Sequence, residues 1–420
     1  MRIPTRAALG ALLLGIVAAL GAGEGLIRLA AWWSPAIRDL AVSPDRRGAR
    51  TFASLPAYLA SQPTQVVPHR NWFNYWNNAL GLNDEEFEVP KPTGRFRILA
   101  LGDSFTFGLV PYPHTVMTLL ETHVRAACPG RELDLLNFGI GGTGVSDYRA
   151  IVTLGLRTYD PDLVVVNFYA GNDGPDLYRQ AHERSRGPTF LGASRLWTFG
   201  RNALRLWRGV HDLDAVQAPP AGPAPPGQTP RGGTPVDPSR HVSERDPALT
   251  GPIFTEAAFT GIQAAELGRL YRPEDPAIVD RAWQPVLADL ETIRAEVLRQ
   301  GRGLALVVYP SALQVFPAQR AALVETLRRR PRYAALSGAA LDPSLPNRQL
   351  AAYCQRAALR CVDLTPAFVE ASHVSAEPLY KQQDAHWTLR GNRVAAEAEA
   401  RFLAGLVCPA GAPAPSAAVR

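Results

Sequence analysis

Arg97-Ile-Leu-Ala-Leu-Gly-Asp-Ser-Phe-Thr-Phe-Gly108 decides how the rest of this chain is read. The apolar run from Phe96 to Leu101, closed by a turn signal, predicts a buried strand. Gly102, Asp103 and Ser104 then turn the chain off the strand end, and apolar residues at helical spacing predict a helix over Thr115 to Ala127. Ser104 therefore falls at the carboxyl end of a strand and just ahead of a helix, where open α/β sheets keep their sites. A serine so placed is a candidate nucleophile, and Asp103 is expected to cap the helix that follows.

A hydroxyl is a weak nucleophile near neutral pH. It needs a base within hydrogen-bond reach, an acid to orient that base, and donors for the oxyanion. Asp384-Ala-His386-Trp387, just before the last predicted helix, offers the acid and the base in one loop. Asn137-Phe-Gly139-Ile-Gly-Gly142 and Tyr169-Ala-Gly-Asn172-Asp173 each follow a predicted strand and offer donors.

On these residues the chain resembles the GDSL/SGNH hydrolase superfamily over roughly residues 70 to 407. Four blocks occur in order: GDS at Gly102 to Ser104, N-x-G-x-x-G at Asn137 to Gly142, G-N-D at Gly171 to Asp173, and D-x-H at Asp384 to His386. Each is weak alone, and their order and placement make them specific together. The stretch Asn77-Asn-Ala-Leu-Gly-Leu-Asn-Asp84 also looks like a feature of bacterial envelope members. Two departures stand out. The step from Asp384 to His386 is two residues where many members have three, a form resembling the branch that handles O-acetyl groups on exported polysaccharides. The third block has its glycine adjacent to Asn172 instead of two residues before it. The resemblance implies a Ser104, His386 and Asp384 triad, with an oxyanion hole from Ser104, Gly142 and Asn172.

Strand and helix patterns alternate from residue 96 onward, which predicts parallel pairing with helices on both faces. The resemblance specifies a flavodoxin-like three-layer α/β/α fold with a mostly parallel five-stranded sheet. The expected organisation is an anchor over 1–33, an extension over 34–95, the hydrolase domain over 96–173 and 278–407, an insertion over 174–277, and a tail over 408–420. In the insertion, Leu196 to Trp207 reads as a short amphipathic helix, and Ala218 to Pro247, rich in Pro, Gly, Ser and Thr, reads as mobile. A long helix over Arg281 to Arg299, a strand over Leu304 to Tyr309 and a last helix over Asn392 to Val407 resume the core. The extension is expected to pack across the sheet edge or under the anchor, with a lip of the substrate cleft as the alternative.

Arg2 and Arg6 precede an uncharged apolar stretch, Ala7 to Gly23, followed by Glu24, Arg28 and Trp32-Trp33. Positive flank, apolar middle and aromatic belt fit a signal anchor with a cytoplasmic N-terminus. Small residues at Gly21 to Gly23 permit cleavage instead. Either way the catalytic part is expected outside the cytoplasmic membrane, in the periplasm. The net charge of +6 is nearly all arginine, since Lys91 and Lys381 are the only lysines. No nucleic-acid motif accompanies it, so nucleic acid is not an expected partner. The expected partners are an acylated glycan or other ester, the membrane, and envelope-assembly proteins. Four cysteines permit three full pairings; Cys354 with Cys361, flanking a helix-to-strand turn, is the favoured pair. No C-x-x-C and no H-E-x-x-H occurs, and no cofactor or metal is expected.

The same residues admit other readings. Gly139 to Gly144 matches G-x-G-x-x-G, but it follows the second core strand, and no acid ends the next one to hold a ribose. Ser104 does not match G-x-S-x-G, which speaks against an α/β-hydrolase proper. Ser104 could serve only as a turn or cap residue, Asn172 as an Asx-turn residue, and Gly142 as a positive-φ position. The function expected is covalent acyl transfer by an esterase or O-acyltransferase. The alternatives are a lipid esterase at the membrane and an inactive glycan-binding scaffold.

Overall fold

The computed structural model describes residues 6–34, 37, 41, 54–60, 66, 71–72, 75–183, 194–200, 203, 254–331 and 333–408. The Pro-rich stretch from Ala218 to Pro247 lies outside them, as does most of the expected helix beyond residue 200. The chain divides into two units, one of 1–51 with 182–219 and one of 52–181 with 220–420.

The first unit is built on helix α1 (Arg6–Trp33). Its 28 residues reach about 42 Å at 1.5 Å per residue, and Leu14–Trp33 is apolar enough to cross a membrane. Glu24 and Arg28 are the charged residues of that span, and the Glu24 carboxylate is fully engaged. Oε1 accepts from Arg28 Nε (2.7 Å) and from the Arg195 N–H (3.0 Å). Oε2 accepts from Ser194 Oγ (2.9 Å) and the Leu196 N–H (2.9 Å), so Glu24 caps the helical residues 195–200.

The second unit holds a five-stranded, all-parallel sheet: β1 (Phe96–Gly102), β2 (Leu133–Gly139), β3 (Leu163–Tyr169), β4 (Gly303–Tyr309) and β5 (Arg360–Asp363). Their spatial order is β2-β1-β3-β4-β5, the doubly wound, flavodoxin-like arrangement whose switch point lies between β1 and β3. Strands buried on both faces need nearly continuous apolar runs, as in β1, β3 and β4, whereas the edge strand β5 (Arg-Cys-Val-Asp) is only partly buried. Leu99, Leu101, Leu136, Val164, Val166 and Leu306 face one way, under α3 (Val145–Tyr159), α5 (Pro276–Arg299) and α6 (Leu345–Arg356). Ile98, Ala100, Leu135, Val165, Ala305 and Val307 face the other, under α2 (Val116–Ala127), α7 (Thr365–Val374) and α8 (Leu389–Val407). This is the three-layer α/β/α sandwich the alternation predicts.

Element ends follow local chemistry. Helix α2 starts at Val116 because Thr115 is its N-cap, accepting from the Thr118 N–H (3.3 Å). Helix α5 starts at Pro276 and not at Arg281, since Asp275 caps Ala277 N–H (2.9 Å) and proline suits the first helical position. Helix α7 and a helix over Glu256–Arg269, α4, have no counterpart in the sequence reading. Helix α4 lies within the expected insertion, yet its Leu267 is buried against Leu313, Leu323 and Leu327.

β2 is an edge strand, and side chains cover two of its outward N–H groups. Leu135 N–H donates to Glu121 Oε1 (2.9 Å), and Asn137 N–H donates to Asp84 Oδ2 (2.8 Å). The second of these brings residues 77–88 of the extension across the sheet edge, where Phe87 packs edge-on to Tyr159. Both cysteine pairs are disulfides: Cys354–Cys361, as favoured, and Cys128–Cys408, which joins the ends of α2 and α8.

Candidate active site

β1 delivers Ser104 to the sheet's carboxyl edge, between β2 and β3, as the first residue of the four-residue helix Ser104–Phe107. Asp103 caps this helix, accepting from the Phe105 N–H at Oδ1 (2.9 Å). The first turn of a helix leaves its N–H groups without intrahelical partners, so the Ser104 N–H is a donor at that end.

His386 reaches Ser104 from the other end of the chain. Its Nε2 lies 2.7 Å from Ser104 Oγ, and its Nδ1 lies 2.6 Å from Asp384 Oδ1. The same Oδ1 accepts from the His386 backbone N–H (3.2 Å), so one carboxylate oxygen holds both the ring and its backbone. Asp384's side chain is fully buried and that of His386 is 15% exposed, which leaves the outer face of the imidazole reachable. Burial alone would raise the Asp384 carboxyl. The adjacent His386, its hydrogen bonds and the Lys381 cation outweigh that and hold it below the ordinary value.

The loop that carries this pair is braced. Lys381 N–H donates to the His386 carbonyl (2.8 Å), and Thr388 caps α8 by accepting from the Gly391 N–H (3.2 Å). Lys381 Nζ, itself buried, donates to the Leu109 carbonyl just past the nucleophile's helix. Trp387 fills the space beneath, with ring centroids 5.0 Å from Phe105 and 4.7 Å from Tyr309.

The two donor loops follow β2 and β3. Thr143 N–H donates to the Ile140 carbonyl (3.3 Å), closing a turn in which Gly142 has φ of 74°, a conformation that glycine adopts without steric cost. The turn is tied to the nucleophile strand, because Ile140 N–H donates to the Gly102 carbonyl (3.0 Å). Gly139 is required for another reason: a Cβ there would lie 2.2 Å from Phe107 N. Asn172 Nδ2 donates to Asp103 Oδ2 (2.6 Å), which leaves its second amide hydrogen for a ligand.

The structure thus brings Ser104, His386 and Asp384 into one hydrogen-bonded series, with the Gly142 and Asn172 loops on the strands flanking β1. Asp103 has a part that the sequence reading did not give it: besides capping, it orients Asn172. Asp173 is likewise structural, accepting from Tyr148 Oη (3.1 Å) and the Tyr169 N–H (2.9 Å). Sequence reasoning missed Lys381 and Glu266, which accepts from Tyr169 Oη (2.8 Å) under the Phe105 ring. Neither stands in a motif; only the scarcity of lysine marked the first.

No protein-family model matches the sequence, and no curated protein compared with it does. Among solved structures, similar chains include a lipolytic protein of the G-D-S-L family from Desulfitobacterium hafniense, at 10% identity over 74% of this chain and 100% of that one, TM-score 0.35. Another is Axe2, an acetylxylan esterase from Geobacillus stearothermophilus, at 14% identity over 73% and 94%, TM-score 0.35. A third is LAE5, an alpha/beta hydrolase enzyme from the metagenome of Lake Arreo, at 18% over 74% and 95%, TM-score 0.32. Within this chain, sheet order, block order and the Ser104–His386–Asp384 contacts agree with the resemblance to GDSL/SGNH hydrolases.

Proposed function

We propose that this chain is a serine hydrolase of the SGNH type that transfers acyl groups from esters through an acyl-enzyme. The observation that carries the reading is the unbroken contact from Ser104 Oγ to His386 Nε2 and from His386 Nδ1 to Asp384 Oδ1. Ser104 Oγ attacks the ester carbonyl while His386 Nε2 takes its proton. Asp384 keeps the other proton on Nδ1 and supports the imidazolium. The oxyanion that develops is met by the N–H groups of Ser104 and Gly142 and the free amide hydrogen of Asn172. The alcohol leaves with the proton from His386, and water or a sugar hydroxyl then repeats the sequence in reverse. Water makes the protein an esterase and a sugar makes it an O-acyltransferase; the first half-reaction is common to both.

The substrate proposed is an O-acetyl group on an exported or cell-envelope glycan, which the two-residue step from Asp384 to His386 favours through its family resemblance. The site is proposed to work outside the cytoplasmic membrane, held there by α1. The activity is tested by release of acetate from a chromogenic acetyl ester, with Ser104→Ala as control; undiminished release by that variant would refute it. An intact mass that includes residues 1–33 tests the anchor.

A further inference from the structure

The stretch Asn77 to Asp84 plays no part in the chemistry above, yet all of it but Ala79 and Leu80 is buried, and it is heavily hydrogen-bonded beside the site. Asn78 folds it: Oδ1 accepts from the N–H groups of Leu80 and Leu82 (both 3.0 Å), and Gly81 completes the turn at φ of 84°. Asn77 adds a bond from Nδ2 to the Gly81 carbonyl (3.0 Å). The turn presents Asn83, which is 1% exposed, to two elements of the site at once.

Towards the nucleophile, Asn83 Nδ2 donates to the carbonyls of Phe107 (2.8 Å) and Gly108 (3.3 Å). These belong to the last turn of the helix that begins at Ser104, where carbonyls lack intrahelical donors, so Asn83 caps that helix from outside. Towards the oxyanion loop, the Asn83 carbonyl accepts from Asn137 Nδ2 (3.1 Å), and Asn137 Oδ1 accepts from the Gly139 N–H (2.9 Å). The neighbouring Asp84 fixes the backbone of the same Asn137 at 2.8 Å. One residue therefore ties the nucleophile's helix to the loop that carries Gly142, and there is no slack between them, since Gly139 already abuts Phe107.

We infer that Asn83 is a positioning residue that sets the separation between the Ser104 hydroxyl and the Gly142 donor. This rests on the function proposed above and adds a residue to it. Displacing reacting groups by about an ångström costs on the order of 100-fold, and Asn83→Ala removes both bonds to the nucleophile's helix while keeping the backbone bond to Asn137.

The test measures rates per active site, counted by the endpoint of labelling with a serine-directed fluorophosphonate in the full chain. A shortage of folded protein lowers the endpoint and leaves that rate unchanged, whereas mispositioning lowers the rate. We expect kcat per labelled site for Asn83→Ala to fall about 10- to 100-fold, with KM within about twofold. Asn83→Asp supplies a second variant. Its protonated acid can still donate to the Phe107 carbonyl and its carboxylate cannot, so its rate relative to the unaltered protein should recover as pH is lowered. Rates per labelled site within twofold of the unaltered protein for both variants, at every pH, would overturn the inference. Hydrolysis that survives Ser104→Ala would instead overturn the proposed function, and so the two failures are distinct.

Discussion

Replacing Asp384 with asparagine tests the geometry at its tightest point. The amide can enter in two ways. With its oxygen at the Oδ1 position it accepts from both His386 Nδ1–H and the His386 backbone N–H, which now share that oxygen at 2.6 and 3.2 Å. With its nitrogen there it can satisfy only a deprotonated Nδ1, and it faces the backbone N–H donor to donor. The first orientation is ahead by about one hydrogen bond, ~1 kcal/mol, or roughly five to one. Among the described residues Asp384 Oδ2 has no hydrogen-bond partner, so the displaced NH2 adds a buried donor without one and costs about 1–3 kcal/mol of stability. The productive tautomer therefore survives in most molecules, and the rate loses mainly the advantage of a charged acceptor for the imidazolium, about 1–2 kcal/mol. Asp384→Asn should lower kcat/KM on an acetyl ester by roughly 5- to 40-fold, with a melting temperature a few degrees below that of the unaltered protein. A loss near 10,000-fold, the size expected when the imidazole is locked in the wrong tautomer, would refute the claim that the backbone N–H chooses the orientation.

Asn172→Ala should lower kcat about 100- to 1000-fold with little change in KM, in steady-state hydrolysis of the same ester. Burial raises Glu399 to about 8, against an ordinary value of 4.5, with the bond from Tyr309 Oη offsetting part of the rise. The folded state thus holds a proton that the unfolded chain releases; this contribution is full below about 4.5, shrinks as pH rises, and is gone above about 8. Glu399→Gln removes the titration, so its thermal melting should fall less between pH 5 and 9 than that of the unaltered protein, and equal slopes would contradict this. Loss of the Cys128–Cys408 bridge, by serine at both positions, should cost about 2–5 kcal/mol in denaturant unfolding and leave kcat unchanged, because it ties α2 to α8 away from the triad. Gly139→Ala should yield little active protein, since its methyl group meets the nucleophile helix backbone at 2.2 Å.

The alternation of β1 to β4 with helices was legible because strands covered on both faces are nearly continuous apolar runs, as Leu163–Tyr169 is apart from Asn167. Ser104 and His386 could be paired before the fold was known because each stood in a block at the end of an element. Helices α4 and α7 were missed for want of a clean apolar stripe: the buried positions of α4, Thr260, Ala264, Glu266, Leu267 and Gly268, include polar residues and spread beyond one face of the helix. The work of Asp103 on Asn172, and of Asn83 on two loops, spans 69 and 54 residues of sequence and depends on which carbonyls and amides face one another after folding. Local pattern carries no record of that. Within the insertion, the expected helix is described over residues 195–200 and at 203, and the expectations for Ala218 to Pro247 lie outside the described residues.

Peptide mapping after treatment with a fluorophosphonate tests the central claim most directly. A single phosphonyl adduct is expected on Ser104, absent from Ser104→Ala and formed far more slowly in His386→Ala. An adduct on a different residue, or ester hydrolysis by a chain that takes no label at Ser104, would contradict it.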